Sequence, residues 1–175
     1  MTDMDTGGAA RQPTPPNGLL RFLLGLPVHL YHANLGFLLG RRFLLLVTIG
    51  GRTGRRRETV VEVMCYDPAT REAIVMAAWG RRTGWLHNVE AGLAREVRIG
   101  RERYVPTHRV LGADEAAAVL ADYERSNRLA APVVRGVIGH LVGWRYDGSP
   151  EARQRVVEQL RLVAFRPRAE LVSGG

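Results

Sequence analysis

Lysine is absent from this chain, and cysteine occurs once, at Cys65. A single thiol excludes an internal disulfide and any zinc site built from several cysteines. That usage suits a reducing cytoplasm, which is the expected location. No uninterrupted span of about 20 apolar residues occurs, so a transmembrane helix is not expected. The first residues lack a basic stretch followed by an apolar core and a small-residue cleavage site, so no signal peptide is evident. No Ser–His–Asp order, pair of catalytic carboxylates or dinucleotide-type GxGxxG stands out, and no P-loop is present. His29 and His32 have helical ligand spacing, but no carboxylate or third histidine lies near them, so no metal is expected.

What the chain does have is arginine. All 25 basic residues are of this type against 17 acidic ones, giving a net charge of +8. The planar guanidinium captures phosphate and carboxylate in a bidentate fork, so the excess points to an anionic partner or to solvated surface. Nucleic acid is not the expected partner, because the aromatics are not interleaved with arginines as stacking platforms require. With 46% apolar and 24% charged residues over 175 positions, the chain reads as one globular unit with an ordinary core.

Along the chain, 1–17 is rich in glycine and proline and reads as a disordered leader, 18–170 as one domain and 171–175 as a flexible tail. The stretch 18–47 is strongly apolar but broken by arginines, histidines and Pro27. It predicts two short helices, packed on the domain, on a dimer partner or on a membrane surface. Phe43–Ile49 reads as a buried strand, Thr59–Tyr66 and Glu72–Ala78 as two more. Val97–Ile99 and Glu102–Val110 read as a hairpin about Gly100–Arg101, and Leu162–Phe165 as a last strand. Helices are expected at Trp85–Ala91, Ala113–Arg125, Ala131–Val142 and Glu151–Leu160. About six antiparallel strands with N-terminal and peripheral helices make an α+β domain around one curled sheet.

Two segments carry chemistry. Gly50-Gly51-Arg52-Thr53-Gly54-Arg55-Arg56-Arg57 lies between two strands. Its glycines let the backbone turn tightly with amides exposed, and its arginines supply charge-assisted bonds to an anion. A hairpin with solvated arginines is the plain alternative. The second segment runs from Ala77 and Ala78 through Trp79 and Gly80 to Trp85 and Asn88. A strand end, a glycine loop and a helix start, with Thr83 as a candidate cap, would present free amides to an anion or a ring carbonyl. Trp85 and Asn88 share one helix face, where Trp85 serves either as a core anchor or as a stacking surface. Glu62 sits among apolar neighbours on a strand, so a barrel-facing ion pair with an arginine is expected for it. Tyr123 belongs to the core or touches a substrate.

Leu26-Pro27, Leu30-Tyr31, Leu35-Gly36, Leu39-Gly40-Arg41-Arg42-Phe43, the Gly50–Arg57 turn and Val61-Glu62-Val63 form an ordered set. Gly80, Trp85, Asn88, Gly100-Arg101, Tyr104 and Ala118 with Tyr123-Glu124-Arg125 continue it. Over about 19–142 this set resembles the deazaflavin-dependent nitroreductase, or F420H2-dependent quinone reductase, family. The resemblance implies a split β-barrel related to the FMN-binding flavoreductases, with noncovalent coenzyme F420 rather than FMN. It implies that Arg52, Thr53, Gly54 and Arg57 hold the coenzyme's phosphate and glutamate tail. It places Ala77, Ala78, Trp79, Gly80, Trp85 and Asn88 around the deazaflavin ring. The implied reaction is hydride transfer to a quinone, enone, nitro compound or unsaturated lipid, in the cytoplasm or against a membrane through 18–47. A non-catalytic coenzyme or lipid carrier on the same barrel is the alternative, since no catalytic proton donor is identified. A homodimer is one of the states the resemblance allows.

Overall fold

The computed structural model of the protein describes residues 40–78 and 84–169. The leader and tail, residues 18–39 of the 18–47 stretch where two helices are expected, and Thr83 lie outside the described residues; the rest of that stretch is a turn and the start of the first strand.

Strand β1, Phe43–Ile49, is buried on both faces, as its unbroken apolar run requires. It pairs antiparallel with β2, Arg56–Asp67, from Phe43↔Glu62 to Ile49↔Arg56. The far half of β2 pairs instead with β3, Glu72–Met76, after a bulge between Val63 and Cys65. One long strand therefore belongs to two half-sheets, and the bulge lets it turn the corner between them. Strands β4 (Ala94–Ile99) and β5 (Glu102–Tyr104) form a hairpin whose turn begins at Gly100, φ +57°. Strands β6 (Pro106–Val110) and β7 (Leu162–Pro167) complete the order β5-β4-β1-β2-β3-β7-β6.

That order forces closure. Strands β5 and β6 stand at opposite edges of the sheet, yet only Val105 separates them in sequence. One residue spans about 3.5 Å, so the sheet must curl until its edges meet. The result is a split β-barrel of seven strands among the described residues, one more than expected. The expected Glu102–Val110 strand divides at Val105 because the chain crosses there from one edge to the other. Pro106 has no N–H for a ladder, and Val105 O instead accepts from Arg168 N at 2.9 Å.

Two cores result from the alternation of side chains across the sheet. Inside the barrel, Leu44, Leu46, Val63, Val75 and Phe165 pack with Trp85, Leu86 and Val89 of α1 (Gly84–Glu90). Outside it, Ile74, Leu162 and Ala164 meet Leu120 of α2 (Ala113–Ser126), Ile138 of α3 (Ala131–Val142) and Val156 of α4 (Pro150–Gln159). Helix α3 starts with Pro132 in its first turn and stops at Gly143, whose φ of +79° suits glycine at a helix end. Ser149 Oγ caps α4 by accepting from Ala152 N at 3.2 Å. Among the described residues no helix is long and apolar enough to cross a membrane.

Candidate coenzyme and acceptor site

The Gly50–Arg55 segment is the tip of the β1–β2 hairpin. Gly50 N donates to Arg55 O at 2.8 Å, and Thr53 N and Gly54 N both donate to Gly50 O. Gly54 takes φ +62°, a conformation that favours glycine. At Gly50 the demand is steric. A Cβ there would lie 2.8 Å from Thr53 Oγ1 and 3.1 Å from Arg57 Nε.

Of the four arginines at the tip, Arg56 is paired with Glu58 at 2.7 Å. Arg52, Arg55 and Arg57 are exposed, and no described carboxylate lies within ion-pair distance of them. Three guanidiniums without a described carboxylate partner on one turn suit a multiply charged anion.

Asn88 ties this tip to α1. Its Oδ1 accepts from Gly51 N at 3.3 Å, and its Nδ2 donates to Thr48 Oγ1 at 3.1 Å, with both side chains buried. Asn88→Ala is expected to cost about 2 kcal/mol, because it strands a backbone donor and a buried hydroxyl. Urea unfolding measures that loss, and an unchanged midpoint would refute the strut.

A cavity of 420 Å³ opens between the outer face of the sheet and α3. Val60, Met64 and Met76 form one wall; Val134, Ile138 and Leu141 form the other. Ala78 and Trp85 also line it. Trp85 is the core anchor considered for it, and it also lines the groove. It stands in the barrel core 6.3 Å from the Phe165 ring and reaches the groove. Ala77 is fully buried in the barrel core, with its N–H donated to Arg161 O. Trp79 and Gly80 lie outside the described residues.

The groove has one polar cluster. Tyr123 Oη donates to Glu62 Oε1 at 2.8 Å, and Arg42 Nη2 lies 3.4 Å from the same oxygen. The expected ion pair of Glu62 exists, but on the outer face rather than in the barrel. Val63 takes the inward position, so alternation turns Glu62 toward α2 and α3. Arg42 as the partner, and α3 as the facing wall, were not identified from the sequence as site residues. The apolar spacing Val134, Ile138, Leu141 within α3 is the signal that marks its inward face. His87 and His108 are exposed, Cys65 is exposed, and no described His, Cys, Asp and Glu side chains cluster as a metal site.

Burial, then the bond to Glu62, pushes the Tyr123 hydroxyl from its ordinary value of 10.0 up to about 12. Burial likewise raises Tyr66, Tyr104 and Tyr146. A folded-state pKa above the unfolded value means that the native protein holds protons the unfolded chain releases. This stability is therefore intact below pH 10 and lost as pH rises through 12 for Tyr123. Tyrosinate absorbance should rise late, together with loss of the fold, and an early rise with the fold intact would contradict it.

The model of the F420H(2)-dependent quinone reductase family matches residues 28–131. No curated protein matches the chain in sequence. Among solved structures, it is similar to an F420-H2 dependent reductase, FDR-A, at 16% identity over 73% of this chain and 96% of that one, TM-score 0.43. It is also similar to a pyridoxamine 5′-phosphate oxidase-related, FMN binding protein from Nostoc punctiforme. There the identity is 13% over 86% of this chain and 81% of that one, with a TM-score of 0.42.

Proposed function

The chain belongs to the F420H(2)-dependent quinone reductase family and is an F420-dependent oxidoreductase; we propose that it reduces a lipophilic acceptor bound in the groove beneath α3. The observation that carries this reading is the coupling of two unlike surfaces. A hairpin tip with three arginines that lack a described carboxylate partner is bonded through Asn88 to the helix whose Trp85 lines a largely apolar cavity. A coenzyme with a charged tail and a flat ring needs both.

The donor set fits the group. Arg52 and Arg57, with Arg55, would hold the phosphate and glutamate tail by charge-assisted bonds, and Thr53 and Gly54 shape the turn that presents them. Ala78 and Trp85 would flank the ring, and Trp79 and Gly80 belong to the same proposed set. Ala77 and Asn88 support it from behind, one in the core and one as the strut. When bound, the deazaflavin supplies a two-electron hydride donor. The residues of the chain bind, orient and exclude water, because most of the groove wall is aliphatic and thioether groups that offer water no hydrogen bond.

A quinone, enone, nitro compound or unsaturated lipid would meet these walls equally well. The apolar stretch before β1, residues 18–39, supports a membrane surface as the source of such an acceptor, and a purified protein that ignores anionic vesicles would remove that support. The primary test is a fluorescence titration with coenzyme F420, with FMN in parallel. Tight F420 binding followed by acceptor-dependent oxidation of the reduced coenzyme is the expected result. Preference for FMN would keep the barrel and change the cofactor. Binding without turnover across several acceptors would make the protein a carrier, and failure to bind either would sink the proposed site.

A further inference from the structure

We infer that the Arg42–Glu62 pair reads the polar head of the acceptor, selecting molecules that carry a hydroxyl beside the carbonyl. The inference rests on the groove being the acceptor site, as proposed above, and adds a substrate class to it.

Apolar walls discriminate poorly. They accept any molecule of suitable shape, and a small change of hydrophobic contact alters affinity only modestly. Selectivity falls to the polar side chains that face the cavity, which among the described residues are Arg42, Glu62 and Tyr123. Both contacts made by Glu62, from Tyr123 and from Arg42, converge on Oε1. Its other oxygen, Oε2, takes no hydrogen bond from a described residue, and the side chain is 41% exposed. A carboxylate oxygen that takes no hydrogen bond from a described residue is thus presented at the groove.

Tyr123 does not compete for a ligand as a donor, because its one proton is given to Glu62. It orients the carboxylate. Arg42 has five N–H donors and its side chain is 62% exposed, so it has capacity beyond the bond to Glu62. The pair therefore offers one acceptor and one donor side by side. The complementary ligand group is a hydroxyl that donates to Glu62 Oε2 next to a carbonyl that accepts from Arg42. A methyl ether in the same place cannot donate. It would cover Glu62 Oε2 without giving it a donor, a cost that the hydroxyl avoids.

The position along the sheet suits this role. Val63 pairs with Val75, so Glu62 is one step from that pair and Ala78 is three steps away in the same direction. Two residues along the strand direction and one strand across separate them, about 8 Å. A six-membered ring bridges that gap, with its reactive edge toward Ala78 and its oxygenated edge toward Glu62.

The test compares 6-hydroxycyclohex-2-enone with 6-methoxycyclohex-2-enone, using cyclohex-2-enone as the plain acceptor. The expected ratio of kcat/KM, hydroxy over methoxy, is about 10 in the wild-type protein. It should fall to about 1 in Glu62→Val and take an intermediate value in Glu62→Gln, whose amide oxygen accepts without charge. A wild-type ratio near 1, or one ratio shared by all three proteins, overturns the inference while turnover of the plain enone leaves the oxidoreductase reading standing. If no enone is reduced, the acceptor reading fails separately, and ligand-observed NMR competition between the two compounds on the protein still reads the head preference. Preferential displacement of the ether by the alcohol, weakened in Glu62→Val, supports the inference; equal competition overturns it.

Discussion

A protein carrying both Arg52→Ala and Arg57→Ala is expected to bind coenzyme F420 about 100-fold more weakly than wild type, with an unchanged unfolding midpoint. Each charge-assisted bond to phosphate or carboxylate contributes about 1.5 to 3 kcal/mol before solvent screening. Two exposed arginines together would supply about 3 kcal/mol after it, which is about 100-fold in affinity. Neither side chain holds a described carboxylate, so their loss should move stability by less than about 0.5 kcal/mol. Arg56→Ala is the internal control, since Arg56 is engaged with Glu58 at 2.7 Å. A parent-like affinity in the double variant, measured by fluorescence titration at fixed ionic strength, would remove the hairpin tip from the site. A comparable loss in Arg56→Ala would show that bulk positive charge, rather than position, attracts the coenzyme.

The second large effect concerns a carboxylate away from the hairpin. Glu124 on α2 is 5% exposed and accepts from Arg153 of α4 at 2.8 Å, while Arg135 of α3 lies 3.6 Å from its other oxygen. Three helices of the outer layer thus share one anion. Arg135 is held close to the backbone as well, since a Cβ on Gly148 would lie 2.8 Å from its Nε. Removing the carboxylate leaves two guanidiniums facing one another beside the buried Tyr146 hydroxyl. Breaking a buried pair from one side costs about 3 to 5 kcal/mol, and the partial exposure of Arg135 places Glu124→Ala near 3. Chemical unfolding measures it. The same change should loosen α3 and so weaken acceptor binding more than coenzyme binding. Equal losses for both ligands would separate Glu124 from the groove.

These two sites differ in how far the sequence discloses them. The hairpin tip is local: glycines and arginines adjacent in the chain remain adjacent in space, and β1 runs over Phe43–Ile49 as its apolar run predicts. Strand β2 begins at Arg56, earlier than the β-branched stretch suggests, because pairing with β1 carries the charged residues 56–58 into the ladder. Hydrophobic pattern carries no trace of that pairing. The groove is non-local in the same sense. Tyr123 meets Glu62 across 61 positions of sequence, and Arg42 meets it across 20. Tyr123 and Glu62 each stand out singly in the sequence, one as a helix tyrosine of uncertain facing and the other as a strand carboxylate in need of a cation. Only the packing of α2 on β2 brings them to one oxygen. The inward assignment of Glu62 failed for a related reason: an apolar neighbourhood along the chain says nothing about which side of the strand holds the barrel. The outer helical layer makes both faces apolar here, as Met64 and Ile74 show by packing outward.

The place of β7 in the sheet has a consequence for synthesis. Residues 162–167 fill the gap between β3, at 72–76, and β6, at 106–110. Both neighbours leave the ribosome well before their common partner exists. The roughly 50 residues between β6 and β7 take about 3 to 10 seconds to translate at typical elongation rates. Throughout that interval β3 and β6 each present an unpaired edge, and Leu120, Ile74 and Val75 have no complete core to enter. The half of the sheet containing β1, β2, β4 and β5 can form early from chain already released, whereas the half beneath the helical layer must wait. A nascent chain of this protein is therefore a two-stage object, with the side that carries the groove beneath α3 the later to close.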